Sequence, residues 1–121
     1  MKEKIKDLIN DKNINELKKL VDEVNANDLA EVLSDLSNSD LAKVFRLIPK
    51  DKAVEVFSEF DVVVATNLLR ELSEKETVSL IDEMFADDAT DVLEEMPANI
   101  VDKILKNCSA DTRIDINKLL R

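Results

Sequence analysis

The chain repeats one pattern of apolar and polar positions at intervals of twelve residues. Eight successive nine-residue stretches begin at positions 28, 40, 52, 64, 76, 88, 100 and 112, with no insertion between them. Two earlier stretches, from Lys4 and Glu16, keep the same register. Within a stretch the second, fifth, sixth and ninth positions are usually apolar, and that spacing is the one-sided stripe of an amphipathic helix.

Each repeat predicts a short helix followed by a tight turn. Cap-forming residues follow the ninth position, and Ser73 with Glu76 has the spacing of a capping box. Pro49 and Pro97 interrupt the helical pattern before them. A helix of about nine residues is only ~13 Å long and marginally stable alone, so it must bury its stripe against neighbours. We predict ten helices, near residues 2–10, 14–24, 27–36, 39–48, 51–60, 62–72, 75–84, 87–96, 98–107 and 110–120.

The repeat determines the expected fold class, which is all-α. Consecutive short helices joined by tight turns form antiparallel pairs, and stacked pairs form a superhelix. We therefore expect a superhelical, armadillo-like α-solenoid of about ten short antiparallel helices. A globular helical bundle is the competing architecture, and the strict period favours the solenoid.

Composition narrows the classes of function. The chain has no glycine and no histidine, which argues against phosphate-binding loops and removes the commonest general base. Its formal net charge is −10, so cations and basic partners are favoured over nucleic acid and anionic membranes. The longest apolar run, Val62–Ala65, is too short for a transmembrane helix, and the charged N-terminal segment is unlike a signal peptide. The one cysteine, Cys108, falls at a core position and is expected to be buried.

The most acidic segment is "FADDATDVLEEMP", residues 85–97. At roughly 100° per residue, its apolar residues cluster on one side of a helix, and Asp87, Asp91 and Glu94 fall together on the opposite side. Two further acids, Asp88 and Glu95, lie on a flank. Phe85 precedes this helix; it either packs against the core as a hydrophobic staple, the favoured interpretation, or stays exposed as a partner contact.

Two interpretations of these acids remain open. Acidic residues in the first turn complement the helix dipole, by about 0.3–1 kcal/mol, and keep the surface solvated. That explanation suits Asp87 and Asp88 better than Asp91 and Glu94. The alternative is a divalent-cation site, because Mg²⁺ keeps most of its waters and is usually held by one or two carboxylates. Asp87 and Asp91 could supply them, but a partner surface would have to add further ligands.

Three stretches of the repeat resemble one known family. They are "NDLAEVLSDLSNSDLAKVFRLIP", "RLIPKDKAVEVFSEFD" and, most closely, "DEMFADDATDVLEEMP". All three resemble the cytosolic N-terminal domain of MgtE-type magnesium channels. The resemblance covers residues 25–121 as a single superhelical domain, and residues 1–24 are expected to form N-terminal helices that continue the repeat. It implies a domain of a longer polypeptide, whose CBS domain pair and membrane pore lie outside this chain.

The resemblance also implies a set of site residues. In that family, acidic residues of the N domain and of the CBS pair face each other, and Mg²⁺ bridges them. Asp87 and Asp91 match the N-domain ligands, and Asp88 joins the candidate metal set. Glu55 matches a further acidic position. The expected interface residues beside them are Glu94 and Glu95.

The expected function is that of a regulatory cytosolic domain of a magnesium transporter, and not of an enzyme. Raised intracellular Mg²⁺ would favour a compact form and closure of the channel. The ion would bind weakly and be shared with the CBS pair, at the cytoplasmic face of the membrane in a full-length homodimer. The domain itself would neither bind nucleic acid nor insert into the membrane. The alternative is a protein-interaction scaffold of the flagellar motor-switch (FliG-like) or armadillo-like type, without a metal role.

Overall fold

The computed structural model describes residues 2–120, and these residues form ten α-helices and no β-strand. The helices are Lys2–Asn10 (α1), Ile14–Glu23 (α2), Ala26–Ser34 (α3), Asn38–Phe45 (α4), Lys50–Glu59 (α5), Val62–Glu71 (α6), Glu74–Glu83 (α7), Ala86–Glu94 (α8), Ala98–Asn107 (α9) and Ala110–Leu119 (α10). The predicted all-α class is therefore confirmed, and each predicted helix has a counterpart. None of the helices in this range is long and apolar enough to cross a bilayer.

Several helices end earlier than the repeat pattern predicts, and α4 shows why. The helix predicted near 39–48 ends at Phe45. Beyond it the amide of Ile48 donates to the carbonyl of Phe45 at 3.1 Å, a three-residue step that tightens the chain. Pro49, which has no amide hydrogen, then precedes α5 as its N-cap residue.

Polar N-caps explain where most helices begin. In six helices a side-chain oxygen of the preceding residue accepts a hydrogen bond from the third helical amide, and these caps are Asn13, Asn25, Ser37, Asp61, Ser73 and Ser109. The predicted capping box is confirmed, because Ser73 Oγ accepts from the amide of Glu76 at 3.1 Å and Glu76 Oε1 accepts from the amide of Ser73 at 3.0 Å. Three helices begin without a side-chain cap: Pro49 precedes α5, Phe85 precedes α8 and Pro97 precedes α9.

Most helices pack on the second helix along the chain. The contacts run from α3 to α5, from α5 to α7 and from α7 to α9, and separately from α4 to α6 and from α8 to α10. The sequence neighbours α1 and α2, and likewise α3 and α4, also contact each other. This alternation sorts α3–α10 into an odd-numbered and an even-numbered set. The superhelical shape of the whole stack stays a prediction.

One contiguous core runs from Ile5 in α1 to Ile116 in α10. The apolar positions of the repeat fill this core; those of the stretch from Val64, which are all buried, are Ala65, Leu68, Leu69 and Leu72. Three aromatic rings meet within it, with centroids 6.5 Å apart for Phe45–Phe57, 6.3 Å for Phe45–Phe60 and 6.2 Å for Phe57–Phe60.

Helix α7 is joined to its neighbours by ion pairs. Each of the three ion pairs found in residues 2–120 uses an acid of α7; they are Arg46–Glu76 at 2.8 Å, Lys50–Glu83 at 3.4 Å and Lys103–Glu74 at 3.6 Å. The bases come from the end of α4, from α5 and from α9. Electrostatic contacts therefore connect α7 to helices that lie before and after it in the chain.

Lys52 on α5 forms hydrogen bonds to the end of α2. Its Nζ atom donates to the carbonyl of Val21 at 2.6 Å and to that of Asp22 at 2.9 Å. Both carbonyls lie in the last turn of α2, where backbone oxygens lack intrahelical donors. The ammonium group also suits the negative end of the helix dipole. Helix α2 is consequently held by hydrogen bonds as well as by the core.

Candidate cation-binding face

The inner face of α8 anchors the candidate site to the core. Ala89 and Leu93 are buried, and Met96 is buried just beyond the end of the helix. Val92 is half-buried. The predicted apolar side of the helix is therefore confirmed, with three of its four residues buried. Thr90 is also buried, and its Oγ1 donates to the carbonyl of Ala86 at 2.6 Å. This bond satisfies the hydroxyl donor inside the helix.

The sequence reasoning missed Thr90 because it is a polar residue type. A signal was nevertheless present at the third position of the repeat. Small or β-branched residues recur there in six successive stretches; they are Ala30, Ala42, Val54, Thr66, Val78 and Thr90. All six side chains are buried or half-buried in the structure. In these six stretches the third position is therefore an additional inward position of the helix.

The opposite face of α8 carries the predicted acids. Asp87, Asp91 and Glu94 are exposed and line one shallow groove of about 280 Å³, together with Thr90 and Leu119. The prediction that these three carboxylates share a face is thus confirmed. Leu119, at the end of α10, forms an apolar wall that no local pattern in α8 could have indicated. The two flanking acids, Asp88 and Glu95, are exposed but do not line this groove.

The acids of α7 and α8 differ in whether they have partners. From Glu74 to Glu95 the chain carries nine acids. Three of them form the ion pairs of α7, and Asp82 lies 3.4 Å from both the amide and the hydroxyl of Ser109. The remaining five make no side-chain hydrogen bond or ion pair within residues 2–120; they are Asp87, Asp88, Asp91, Glu94 and Glu95. Within this segment, the acids without partners therefore all lie on α8 or at its C-terminal end.

The α8 face does not form a closed metal site. Within residues 2–120 no group of three or more Asp, Glu, His or Cys side chains is arranged to hold a metal ion. Glu55 lies elsewhere, exposed on α5, which packs on α3 and α7, whereas α8 packs on α10. The structure therefore brings Asp87, Asp91 and Glu94 together, and it does not place Glu55 in their groove.

The prediction that Phe85 staples the turn to the core is wrong. Its side chain is 80% exposed, and it occupies the N-cap position of α8. A staple uses the residue before the N-cap, and that residue is Met84, which is buried. Met84 therefore takes the inward position and leaves the phenylalanine ring in solvent at the start of the acidic helix.

Cys108 is buried, as its repeat position predicts. Burial raises the pKa of its thiol to about 11, and the nearby charge of Asp82 adds to the increase. The thiol therefore stays protonated near neutral pH, where only the thiolate is an effective nucleophile. The structure gives Cys108 a packing role.

The fold is that of an all-helical domain built from short repeated helices, with one acidic face on α8. Comparison with protein-family models matches residues 24–121 to the MgtE intracellular N domain. Because the match covers most of the chain, the protein belongs to this family, which is a regulatory domain of magnesium transporters and not a catalytic one. A search of curated proteins finds no match. The division of the chain at residues 24 and 25 stays a prediction.

Proposed function

We propose that this domain senses intracellular Mg²⁺ through the acidic face of α8 and thereby favours closure of its channel. The ion would lie between Asp87 and Asp91 and a CBS domain pair of the same polypeptide. The observation that carries the proposal is a contrast between two neighbouring helices. The five carboxylates of α8 and its C-terminal end have no partner in the described chain, whereas the four acids of α7 all have one. The family supports a role in Mg²⁺ transport, since its members are domains of magnesium transporters.

Local helix physics supports a role beyond solubility. Asp87 and Asp91 are one turn apart, and like charges at this spacing cost about 0.2–0.5 kcal/mol. Glu94 and Glu95 stand at the C-terminal end of α8, where the helix dipole disfavours negative charge by about 0.3–1 kcal/mol. The dipole therefore accounts for the first-turn acids but not for the last ones. A cation that lies against this face would relieve both costs.

The mechanism follows from linkage between ion binding and conformation. Without Mg²⁺ the α8 acids and the acids of the CBS pair repel each other, and the N domain moves away. The ion binds the compact arrangement more tightly than the open one, so a rise in Mg²⁺ shifts the population toward the compact form. Mg²⁺ keeps most of its waters, so one or two carboxylates from each side are sufficient.

Further parts of the proposal extend the same interface. Asp88, in the first turn of α8, is a further carboxylate that can contact the ion. Glu55 on α5 contacts the ion or the partner. Glu94 and Glu95 border the CBS surface. The full-length protein is a membrane homodimer, and this domain lies at the cytoplasmic face without entering the bilayer or binding nucleic acid. It catalyses no reaction.

The decisive experiment uses a polypeptide that contains this domain together with its CBS pair. Limited proteolysis or small-angle scattering across a Mg²⁺ titration measures the compaction. We expect Asp87→Asn/Asp91→Asn to shift the midpoint to clearly higher Mg²⁺. The matched control is Glu31→Gln/Asp35→Asn, which removes two exposed acids at the same spacing from α3 and its end. An unchanged midpoint in the α8 variant would refute the site and favour the scaffold function.

The isolated domain provides a second measurement. Its half-site should bind Mg²⁺ only in the millimolar range, about −4 kcal/mol, because the second set of ligands is missing. Amide chemical shifts in an NMR titration should therefore move at Asp87, Asp91 and their neighbours, and should stay constant on α3. Shifts that are spread evenly over all acidic helices would indicate general screening and contradict a defined site.

A further inference from the structure

The odd-numbered helices carry two equivalent grooves. One lies between α5 and α7, and the other, of about 320 Å³, lies between α7 and α9; we call the second the α7–α9 groove. Residues two repeats apart line the two grooves at matching places, as Arg46 and Arg70 do, and likewise Ile48 and Leu72. Leu72 lines both grooves, so they meet at this side chain. The α7–α9 groove shares no lining residue with the groove on the α8 face.

A polar bridge recurs between the odd-numbered and the even-numbered helices. In two cases the third residue of an odd-numbered helix contacts a residue 30 positions earlier, at the end of an even-numbered helix. In α5, Lys52 Nζ donates to the carbonyl of Asp22 at 2.9 Å. In α7, the carboxylate of Glu76 accepts from Arg46, with 2.8 Å between Oε2 and Nε and 3.2 Å between Oε1 and Nη2. The arginine of the α5–α7 groove is therefore bound by a carboxylate of the chain itself.

The α7–α9 groove lacks this bridge. Ile100 is the third residue of α9, and Arg70, in the last turn of α6, is the equivalent of the arginine that Glu76 binds. Arg70 is exposed, and its side chain makes no hydrogen bond or ion pair within residues 2–120. The other charged lining residues, Glu74 and Lys103, pair with each other at 3.6 Å. One positive charge therefore remains unpaired in this groove.

The rest of the lining determines what could pair with that charge. The apolar side chains of the α7–α9 groove are Leu69, Leu72, Val78, Ile100 and Ile104. A matching ligand combines an apolar group with a carboxylate, because a guanidinium group binds a carboxylate in a bidentate geometry. The two grooves meet at Leu72, so an extended segment of polypeptide can follow both. This continuity favours a peptide over a small organic acid.

We propose that the α7–α9 groove binds an acidic segment of a partner polypeptide. An apolar side chain of the segment lies between α7 and α9, and a neighbouring carboxylate binds Arg70 as Glu76 binds Arg46 within the chain. The net charge of −10 does not prevent this, because charges more than about 8 Å apart are largely screened at physiological salt. The inference does not rest on Mg²⁺ binding, since the acids of α8 take no part in it.

Selection from a displayed library of random short peptides on the full chain tests the ligand class. The selection is made in EDTA, so its outcome is independent of any cation site. We expect enriched peptides to carry Asp or Glu beside Leu, Ile or Phe. In fluorescence anisotropy, Arg70→Gln should weaken a selected peptide by about tenfold, equivalent to about 1.4 kcal/mol. The matched control is Arg46→Gln, which should leave the affinity unchanged because that guanidinium group is already bound within the chain.

Two results of this selection would overturn the proposal. One is the absence of any enriched acidic peptide. The other is a set of selected peptides that bind Arg70→Gln as tightly as the wild type.

Ile100→Glu provides an independent test, because it supplies the missing carboxylate from within the chain. The introduced carboxylate should bind Arg70, and its pKa, followed by NMR, should lie below the usual value of about 4.3. It should also abolish binding of the selected peptides. Ile100→Gln, which shortens the apolar lining without adding a charge, should weaken them less. Unchanged peptide affinity in Ile100→Glu, with circular dichroism showing a folded chain, would contradict the proposed contact.

Discussion

Glu76 makes two kinds of stabilising contact that substitutions can separate. Its carboxylate accepts from Arg46 Nε at 2.8 Å and from Arg46 Nη2 at 3.2 Å, and it accepts from the amide of Ser73 at 3.0 Å. Glu76→Gln removes the charge but keeps an oxygen that completes the capping box. Glu76→Ala removes both contacts. The two variants therefore measure the ion pair and the cap separately.

The magnitude follows from the surroundings of the two side chains. The hydrogen bond from Arg46 is the main cause that lowers the pKa of Glu76 from 4.5 to about 2. A shift of this size corresponds to at most ~3 kcal/mol of folding free energy. The side chains of Arg46 and Glu76 are 43% and 37% exposed, so solvent screening reduces the value to about 1 kcal/mol. We expect the free energy of unfolding to fall by about 1 kcal/mol in Glu76→Gln and by about 2 kcal/mol in Glu76→Ala.

The pH dependence distinguishes this ion pair from a general packing effect. The pKa of Glu76 is lower in the folded state than in the unfolded chain, so the stabilisation is fully present above about pH 4.5 and is lost as pH falls toward about 2. Urea unfolding of the wild type and of Glu76→Gln, followed by circular dichroism at several pH values, should show a difference that shrinks through this window. The control Glu31→Gln removes an exposed acid of α3 and should show a small difference at every pH.

Two results would refute this reasoning. One is a difference between wild type and Glu76→Gln that is as large at pH 2.5 as at pH 7. The other comes from a double-mutant cycle in which Arg46→Met costs the same free energy with Glu76 and with Gln at that position. A coupling energy below ~0.3 kcal/mol would mean that the two side chains act independently.

Further predictions concern the core, a turn, the thiol and the acidic face. Phe57→Ala should lower the free energy of unfolding by about 3–5 kcal/mol and Phe57→Leu by clearly less, as measured in urea, because the ring is buried between two others. Lys12 has a φ of 56°, in the left-handed region that glycine adopts without steric cost. Lys12→Gly should therefore raise the free energy of unfolding by up to about 1 kcal/mol, seen as a higher melting temperature, and Lys12→Ala should give no such gain. Ellman's reagent should label Cys108 at neutral pH only after unfolding, and rapid labelling of the folded chain would contradict its raised pKa. In EDTA at low salt, Asp87→Asn/Asp91→Asn should stabilise the isolated domain by about 0.2–0.5 kcal/mol, and a loss of stability would contradict the inferred repulsion.

The helices were predictable from sequence because every signal that defines them is local. The apolar stripe lies within nine residues, and the Ser73–Glu76 box lies within four. The exact ends were harder to predict, since the early end of α4 at Phe45 depends on backbone hydrogen bonds that tighten the chain before Pro49. The packing order of the helices depends on long-range contacts, which a twelve-residue period does not encode.

The acidic face was predictable as far as helix geometry extends. Asp87, Asp91 and Glu94 share a face because of the helical period alone, and the groove confirms it. Leu119 could not be predicted, because it comes from a helix 25 residues further along the chain. The same limit applies to the separation of partnered from unpartnered acids. Glu74 looks like any exposed acid in the sequence, and only the fold brings Lys103 within 3.6 Å of it.

The contact of Lys52 with the end of α2 bears on how this domain should be divided. The family match begins at residue 24, whereas Lys52, inside the match, donates to the carbonyls of Val21 and Asp22 outside it. Ile5 and Leu17 belong to the same core as the matched helices. The unit that the family shares is therefore smaller than the unit that folds. A fragment trimmed to residues 24–121 would expose part of the core. Chimeric proteins that carry this domain should therefore retain its first two helices.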